Sequence, residues 1–164
     1  METEAERLPA AIHATALVLG EAGILIRGPS GAGKSALARA LIAAGRQNRL
    51  FARLVGDDRI LLLEAGGRLI ARPHPAISGL IEARGRGILA ISHEPAAELH
   101  GVVDLVFAET GSALLPRMQE KHHMLARFGA IVLPRIALPA ATPTASAAVA
   151  VLDFGHTLQP AFAK

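Results

Sequence analysis

The stretch Gly28-Pro29-Ser30-Gly31-Ala32-Gly33-Lys34-Ser35 constrains this chain more than any other. It follows a short apolar run, Ile24-Leu25-Ile26. It precedes an Ala- and Leu-rich run, Lys34 to Ala44, in which Leu37, Leu41 and Ile42 share one face. That order dictates a buried strand, a tight glycine turn and an amphipathic helix, which Gly45 is expected to stop. The eight residues are a full Walker A match in the right context. Glycines let the backbone curl until successive N–H groups converge on one point, and the helix adds the positive end of its dipole. Such a turn cradles phosphate. Lys34 then reaches the β- and γ-phosphates of a nucleoside triphosphate, and Ser35 offers an oxygen to Mg²⁺. The motif is silent on what receives the phosphoryl group.

Composition narrows the setting. The chain has 164 residues, 51% of them hydrophobic and 19% charged, which excludes bulk disorder and suits one domain with a real core. Cysteine is absent, so disulfides and thiolate zinc sites are excluded and a reducing compartment is expected. No uninterrupted apolar run reaches the roughly 18 residues of a membrane span; the most apolar stretch, Ile136 to Leu152, is broken by Pro139 and Pro143. The acidic start, Met1-Glu2-Thr3-Glu4-Ala5-Glu6, does not suit a leader peptide. The expectation is a soluble, cytoplasmic protein, with a tail over residues 1–11 and a single catalytic domain over 12–164. The formal charge is +3, carried mainly by scattered Arg, since Lys occurs only at Lys34, Lys121 and Lys164. With 3% aromatic residues there are no stacking platforms for single strands. Phosphate handling, not nucleic-acid binding, is the better use of these guanidinium groups.

Along the chain, the pattern predicts strands over Ala16–Leu19 and Ile24–Ile26, separated by a turn at Gly20 to Gly23. A short strand at Leu54-Val55 leads into Gly56-Asp57-Asp58. A hairpin is predicted around Gly66-Gly67, joining Ile60–Leu63 to Leu69–Ala71. Ile77–Arg84 reads as a short helix. Strands follow at Ile88–Ile91, Val102–Ala108 and Ile131–Leu138, then a helix at Ser146–Leu152. Residues 109–129 read as irregular. The sum is a mixed α/β domain.

Three further clusters carry chemistry. Asp57-Asp58 follows a strand, where an acid can hold Mg²⁺ directly or through water and a second acid can take a proton from a hydroxyl; the same residues also suit a polar turn. Ile81-Glu82-Ala83-Arg84-Gly85-Arg86-Gly87-Ile88 packs an acid, two guanidinium groups and two glycines together. Glu82 suits a magnesium shell and Arg84 a phosphate, and a salt-bridged helix end is the plainer reading. His13 precedes the first strand, where a lone His is more often structural. His122-His123, near Glu120, lacks a third ligand and reads as a solvated loop.

In combination these motifs resemble the catalytic domain of the HPr kinase/phosphorylase family. Its members pair an upstream His, a Gly-x-Ser-Gly-x-Gly-Lys-Ser loop, an Asp-Asp, and a signature close to Leu-Glu-Ile-Arg-Gly-Leu-Gly-Ile. Here these are His13, Gly28 to Ser35, Asp57-Asp58 and Ile81 to Ile88, in the same order. The resemblance covers residues 12–91 well and 102–138 loosely. It implies a P-loop core with a mixed sheet, related to phosphoenolpyruvate carboxykinase. It also implies an ATP- and Mg²⁺-dependent kinase acting on a serine of the phosphocarrier HPr, with a reverse reaction in which phosphate attacks phosphoserine. Members commonly assemble as homohexamers.

By the same resemblance, Lys34 binds the transferring phosphates, Ser35 and Glu82 ligate Mg²⁺, Asp58 accepts the serine proton, and His13 belongs to the catalytic site. Asp57 serves the metal, Arg84 the nucleotide, and Arg117 is the best match for a downstream family Arg, with Arg127 its rival. The chain departs from the family in three places. It reads as a short form that starts near the catalytic domain and ends before the long C-terminal helices. Its Arg46–Arg53 link is long. The family's Pro-Val-Arg-Pro-Gly-Arg-Asn loop is replaced by uncharged Leu138-Pro139-Ala140-Ala141-Thr142-Pro143, which favours the kinase direction over phosphorolysis. The competing readings are a P-loop kinase of small molecules and a nucleotide-sensing regulator with little catalysis.

Overall fold

The computed structural model describes residues 10–107 and 124–158. Ten strands and two α-helices make it up: β1 (Ala10–Leu19), β2 (Ala22–Arg27), α1 (Lys34–Gln47), β3 (Ala52–Gly56), β4 (Arg59–Ala65), β5 (Arg68–Pro73), β6 (Leu80–Ala83), β7 (Gly87–Ala90), β8 (Ala97–Val106), β9 (Leu125–Phe128), β10 (Ile131–Pro139) and α2 (Thr144–Leu158). The pairing is mixed. Strand β8 runs parallel to both β2 and β10, while the other pairs are antiparallel. Strands β1, β2, β8, β5 and β4 pair in turn and return to β1, a closed circuit. Strands β6 and β7 form a hairpin of their own, separate from the main sheet.

Alternation along β1 explains the two cores. Leu17 and Leu19 face a cluster with Ile24, Ile26, Leu37, Leu41 and Val103, against which α1 and α2 pack. Ala14 and Ala16 face a second cluster with Leu25, Val55, Ile60 and Val102. The period of two therefore places His13 and Thr15 on the same side of β1 as Leu17 and α1.

Several expectations are corrected by packing. Strand β1 starts at Ala10, because its first residues pair with β4, so the tail boundary at residue 11 falls too late. Gly45 does not stop α1. It lies inside the helix and is buried, because a Cβ there would sit 2.3 Å from Ala52 Cβ. The glycine permits close approach to β3, and α1 ends at Gln47, capped by Asn48, whose side-chain amide donates to the Ala44 carbonyl at 2.8 Å. Ile77–Arg84 is not helical. A 3₁₀ turn at Pro75–Ile77 gives way to β6, since Ile81 and Ala83 alternate into the core as strand residues do. Within 109–129, residues 125–128 form β9, which pairs with β10 as a tight hairpin across Gly129-Ala130. The Gly66-Gly67 hairpin forms where expected. Among the described residues no helix is long and apolar enough to cross a membrane.

Candidate functional site

The glycine-rich loop between β2 and α1 opens onto a cavity of about 680 Å³. Gly31 and Gly33 adopt φ of 80° and 96°, a left-handed conformation that side chains resist, and Gly33 caps the helix. The turn is closed by the Ala32 N–H donating to the Pro29 carbonyl at 3.1 Å. Lys34 opens α1 and is 7% exposed. Its Nζ donates to the Gly28 and Pro29 carbonyls at 2.8 and 3.1 Å. Burial lowers the Lys34 pKa, and the nearby Asp57 and Asp58 charges offset part of that effect.

Strand β3 ends at Gly56 and delivers two acids with different surroundings. Asp57 is 5% exposed. Its Oδ1 accepts from Thr15 Oγ1 at 2.7 Å and from Ser35 Oγ at 2.9 Å. Its Oδ2 accepts from Ser35 Oγ at 2.8 Å and from the Glu82 N–H at 3.1 Å. One carboxylate thus ties together β1, α1 and β6. Asp58 instead points outward at φ 67°, in a three-residue turn closed by the Arg59 N–H donating to the Asp57 carbonyl at 2.8 Å. Its carboxylate lies 3.0 Å from His13 Nε2, and both side chains are at least half exposed. A non-glycine residue held in this region costs about 1–3 kcal/mol of strain, and such strain clusters at functional sites.

The hairpin of β6 and β7 makes the opposite wall. Its register sets Glu82 across from Ile88. Glu82, Arg84, Ile88 and Leu80 line the cavity, with Ile77 beside them and Ala140 and Thr144 closing another side. Ile81 and Ala83, on the other face of the hairpin, are buried and fix it to the core. Among the described residues, neither Glu82 nor Arg84 has an ion-pair partner, so the salt-bridged reading of this segment does not apply.

His13, Ser30 to Ser35, Asp57, Asp58, Glu82 and Arg84 therefore meet around one cavity, although Glu82 follows His13 by 69 positions in the sequence. Gly28 and Pro29 take part through their carbonyls. Arg127 lies on β9 and does not line the cavity. Arg117, Glu120, His122 and His123 lie outside the described residues. Thr15 was missed by sequence reasoning, and the readable signal was a lone polar residue on the His13 side of an apolar strand. The apolar wall of Ile77, Leu80 and Ile88 was missed because it depends on a hairpin where a helix was expected.

Among the described residues no three His, Cys, Asp or Glu side chains gather to hold a metal. The donor set still suits one kind of ion. Ser35 gives its proton to Asp57, which leaves its oxygen lone pairs free, and Glu82 adds a carboxylate at the cavity. A hard cation that takes few protein oxygens and completes its shell with phosphate and water, as Mg²⁺ does, fits these residues.

A second charged cluster lies away from the cavity. Arg27 forms a bidentate pair with Asp104, at 2.7 and 2.8 Å, and Arg135 also donates to Asp104. The Arg27 guanidinium stacks 5.4 Å from the centre of the Phe128 ring. Burial pushes the Asp104 carboxyl up, but the hydrogen bonds and charges of Arg27 and Arg135 outweigh it and hold the group below the usual carboxylate range.

The family described as the HPr serine kinase C-terminal domain matches residues 6–142. The chain belongs to that family. A relative from Mycoplasma mycoides named HPr kinase/phosphorylase is 44% identical over 79 residues, covering 48% of this chain and 23% of its own length. One from Neisseria meningitidis with the same name is 35% identical over 105 residues, covering 59% of this chain and 31% of its own. The matches to these HPr kinase/phosphorylases therefore span less than a third of their length. A solved structure, the Hpr(Ser) kinase/phosphatase from Coxiella burnetii, is 24% identical with a TM-score of 0.70, covering 92% of this chain and 99% of that one. At that identity the likeness is one of fold: the mixed α/β arrangement described above is that of the family.

Proposed function

We propose that the chain is an ATP- and Mg²⁺-dependent serine kinase acting on the phosphocarrier HPr, built on a P-loop core like that of phosphoenolpyruvate carboxykinase. One observation carries the reading: His13, Lys34, Ser35, Asp57, Asp58, Glu82 and Arg84 line a single cavity at the mouth of the glycine loop.

The loop amides and the α1 N-terminus hold the phosphates. Lys34 leaves its loop carbonyls to neutralise charge on the β- and γ-phosphates, and Arg84 adds charge from the opposite wall. The chemistry a bound Mg²⁺ would supply is charge neutralisation at the phosphates. Ser35 and Glu82 would hold the ion, and Asp57 acts through Ser35, because its own oxygens are already occupied. Asp58 accepts the proton of the acceptor serine as its oxygen bonds to the γ-phosphorus and ADP leaves. His13 orients the Asp58 carboxylate. Charge-stabilised transfer of this kind requires positioning more than covalent chemistry.

The reverse reaction must hold inorganic phosphate against phosphoserine, two anions together. The turn after β10 brings Ala140 to the cavity and carries no charged side chain between Leu138 and Pro143. Kinase activity is therefore expected to exceed phosphorolysis by at least tenfold, a difference of about 1.4 kcal/mol in barrier. Incubation with labelled ATP, HPr and a panel of small acceptors tests the reading. Label on an HPr serine supports it. Label on a small acceptor instead makes the chain a small-molecule kinase, and nucleotide binding without transfer makes it a sensor. Release of pyrophosphate from phosphoserine-HPr as fast as the forward reaction would overturn the directional claim.

A further inference from the structure

Thr15 is wholly buried, and it is a polar residue on a strand whose neighbours are Ala14 and Ala16. A buried threonine hydroxyl ordinarily finds a nearby backbone carbonyl. This one donates instead to Asp57 Oδ1 at 2.7 Å, across 42 residues of sequence. A carboxylate has about four lone-pair positions. Here the donors to them are Thr15, Ser35 and the Glu82 N–H, with the single Ser35 proton shared between both oxygens.

These donors differ in how firmly they are held. Ser35 belongs to the ligand cavity and Glu82 to a hairpin outside the main sheet. Thr15 sits in the middle of β1, paired on one edge with β2. Its β-branched side chain is stiff about χ1. It is therefore the donor best able to set the plane of the Asp57 carboxylate, and that plane sets where the Ser35 hydroxyl points its proton and its free lone pairs. We propose that Thr15 is a positioning residue for the metal–nucleotide complex: it orients Asp57, and through Asp57 the Ser35 oxygen. This rests on the nucleotide-binding role proposed above, and it extends that site to a residue outside the motifs.

The test uses the full chain and a fluorescent ADP analogue, titrated once with Mg²⁺ and once with EDTA. The ratio of the two affinities is the metal-dependent gain. Thr15→Val keeps the volume and removes the hydroxyl. It is expected to lower the metal-dependent gain about tenfold, while leaving the metal-free affinity within about twofold of the parent. Thr15→Ser restores the gain. Added to Ser35→Ala, Thr15→Val costs nothing further, because the route through Ser35 is already cut. A variant that melts at lower temperature but keeps the whole gain overturns the inference and leaves Thr15 a satisfied core residue. So does loss of metal-free binding to the same extent. Should the valine variant not fold, Thr15→Ala carries the same comparison, and retention of the gain there is equally fatal. A parent protein that binds no nucleotide under either condition overturns the proposed function itself, and this inference with it.

Discussion

Asp57 and Asp104 are both largely buried carboxylates that tie together distant segments, yet their partners differ in kind. Asp57 is held by two hydroxyls and a backbone amide. Asp104 is held by two guanidinium groups. Neutral donors satisfy the hydrogen-bonding capacity of Asp57 without cancelling its charge; burial lowers the Lys34 pKa, and that charge offsets part of the lowering. The guanidinium groups cancel the charge of Asp104 on the spot. Buried ion pairs of this type contribute little over an apolar packing but are costly to break from one side. The first arrangement leaves a negative field facing a cavity. The second joins β2, β8 and β10 and leaves none. The charge of the donors, not the depth of the acid, thus decides whether its negative field survives.

Lys34→Ala is expected to lower phosphoryl transfer by about 10³-fold or more, as loss of a preorganised charge at the transferring group does. Its thermal midpoint should stay near that of the parent, and transfer at the parental rate would remove the loop from the mechanism. Asp58→Asn is expected to cost about 10² to 10³-fold in turnover while nucleotide affinity is kept, since the amide cannot accept the proton. If Asp57→Asn were instead the variant that binds but does not turn over, the two acids would exchange roles.

Asp104→Asn should act on the other side of the comparison. Arg27 and Arg135 lose the Asp104 charge, and stability at neutral pH should fall by about 3 kcal/mol with nucleotide affinity unchanged. Denaturant melts across pH sharpen this. The folded-state pKa of Asp104 is depressed, so its contribution is fully present above the ordinary carboxylate value of 3.8. It is lost as pH falls through the lower folded value, so the gap between variant and parent should close only below about pH 4. A gap that is already small at neutral pH would mean the cluster contributes no stability.

The smallest effect is expected from Glu82→Gln. One oxygen ligand is weakened and the rest of the shell is phosphate and water, so the Mg²⁺ concentration for half-maximal transfer should rise a few fold. A magnesium titration that overlays the parent would remove Glu82 from the metal shell.

Much of the candidate site was legible in the sequence because its parts are local. The glycine loop, Lys34 and Ser35 form within one strand–turn–helix unit, and Asp57-Asp58 follow directly on a strand. The signature Ile81–Ile88 was legible as composition but not as shape. Its short run of apolar, small and charged residues fits about two helical turns as well as a hairpin, and only pairing with Gly87–Ala90 and burial of Ile81 and Ala83 select the strand. Gly45 shows the same limit. A glycine near the end of a helical pattern reads as a stop, unless something outside the helix, here Ala52, needs the space.

By itself, the sequence determined the strand–loop–helix that opens the site, the alternation that gives β1 two faces, the Gly66-Gly67 hairpin and the identity of the charged groups. These rest on interactions between residues a few positions apart, where periodicity and glycine placement are sufficient. The tertiary structure alone decided that Thr15, Ser35 and the Glu82 amide converge on Asp57, that His13 meets Asp58, and that Arg27, Asp104 and Arg135 form a separate cluster. Those contacts cross tens of residues. They exist only once β3 and β4 have paired with β1, and β8 with β2 and β10, because strand register, and not spacing along the chain, sets which side chains share a face.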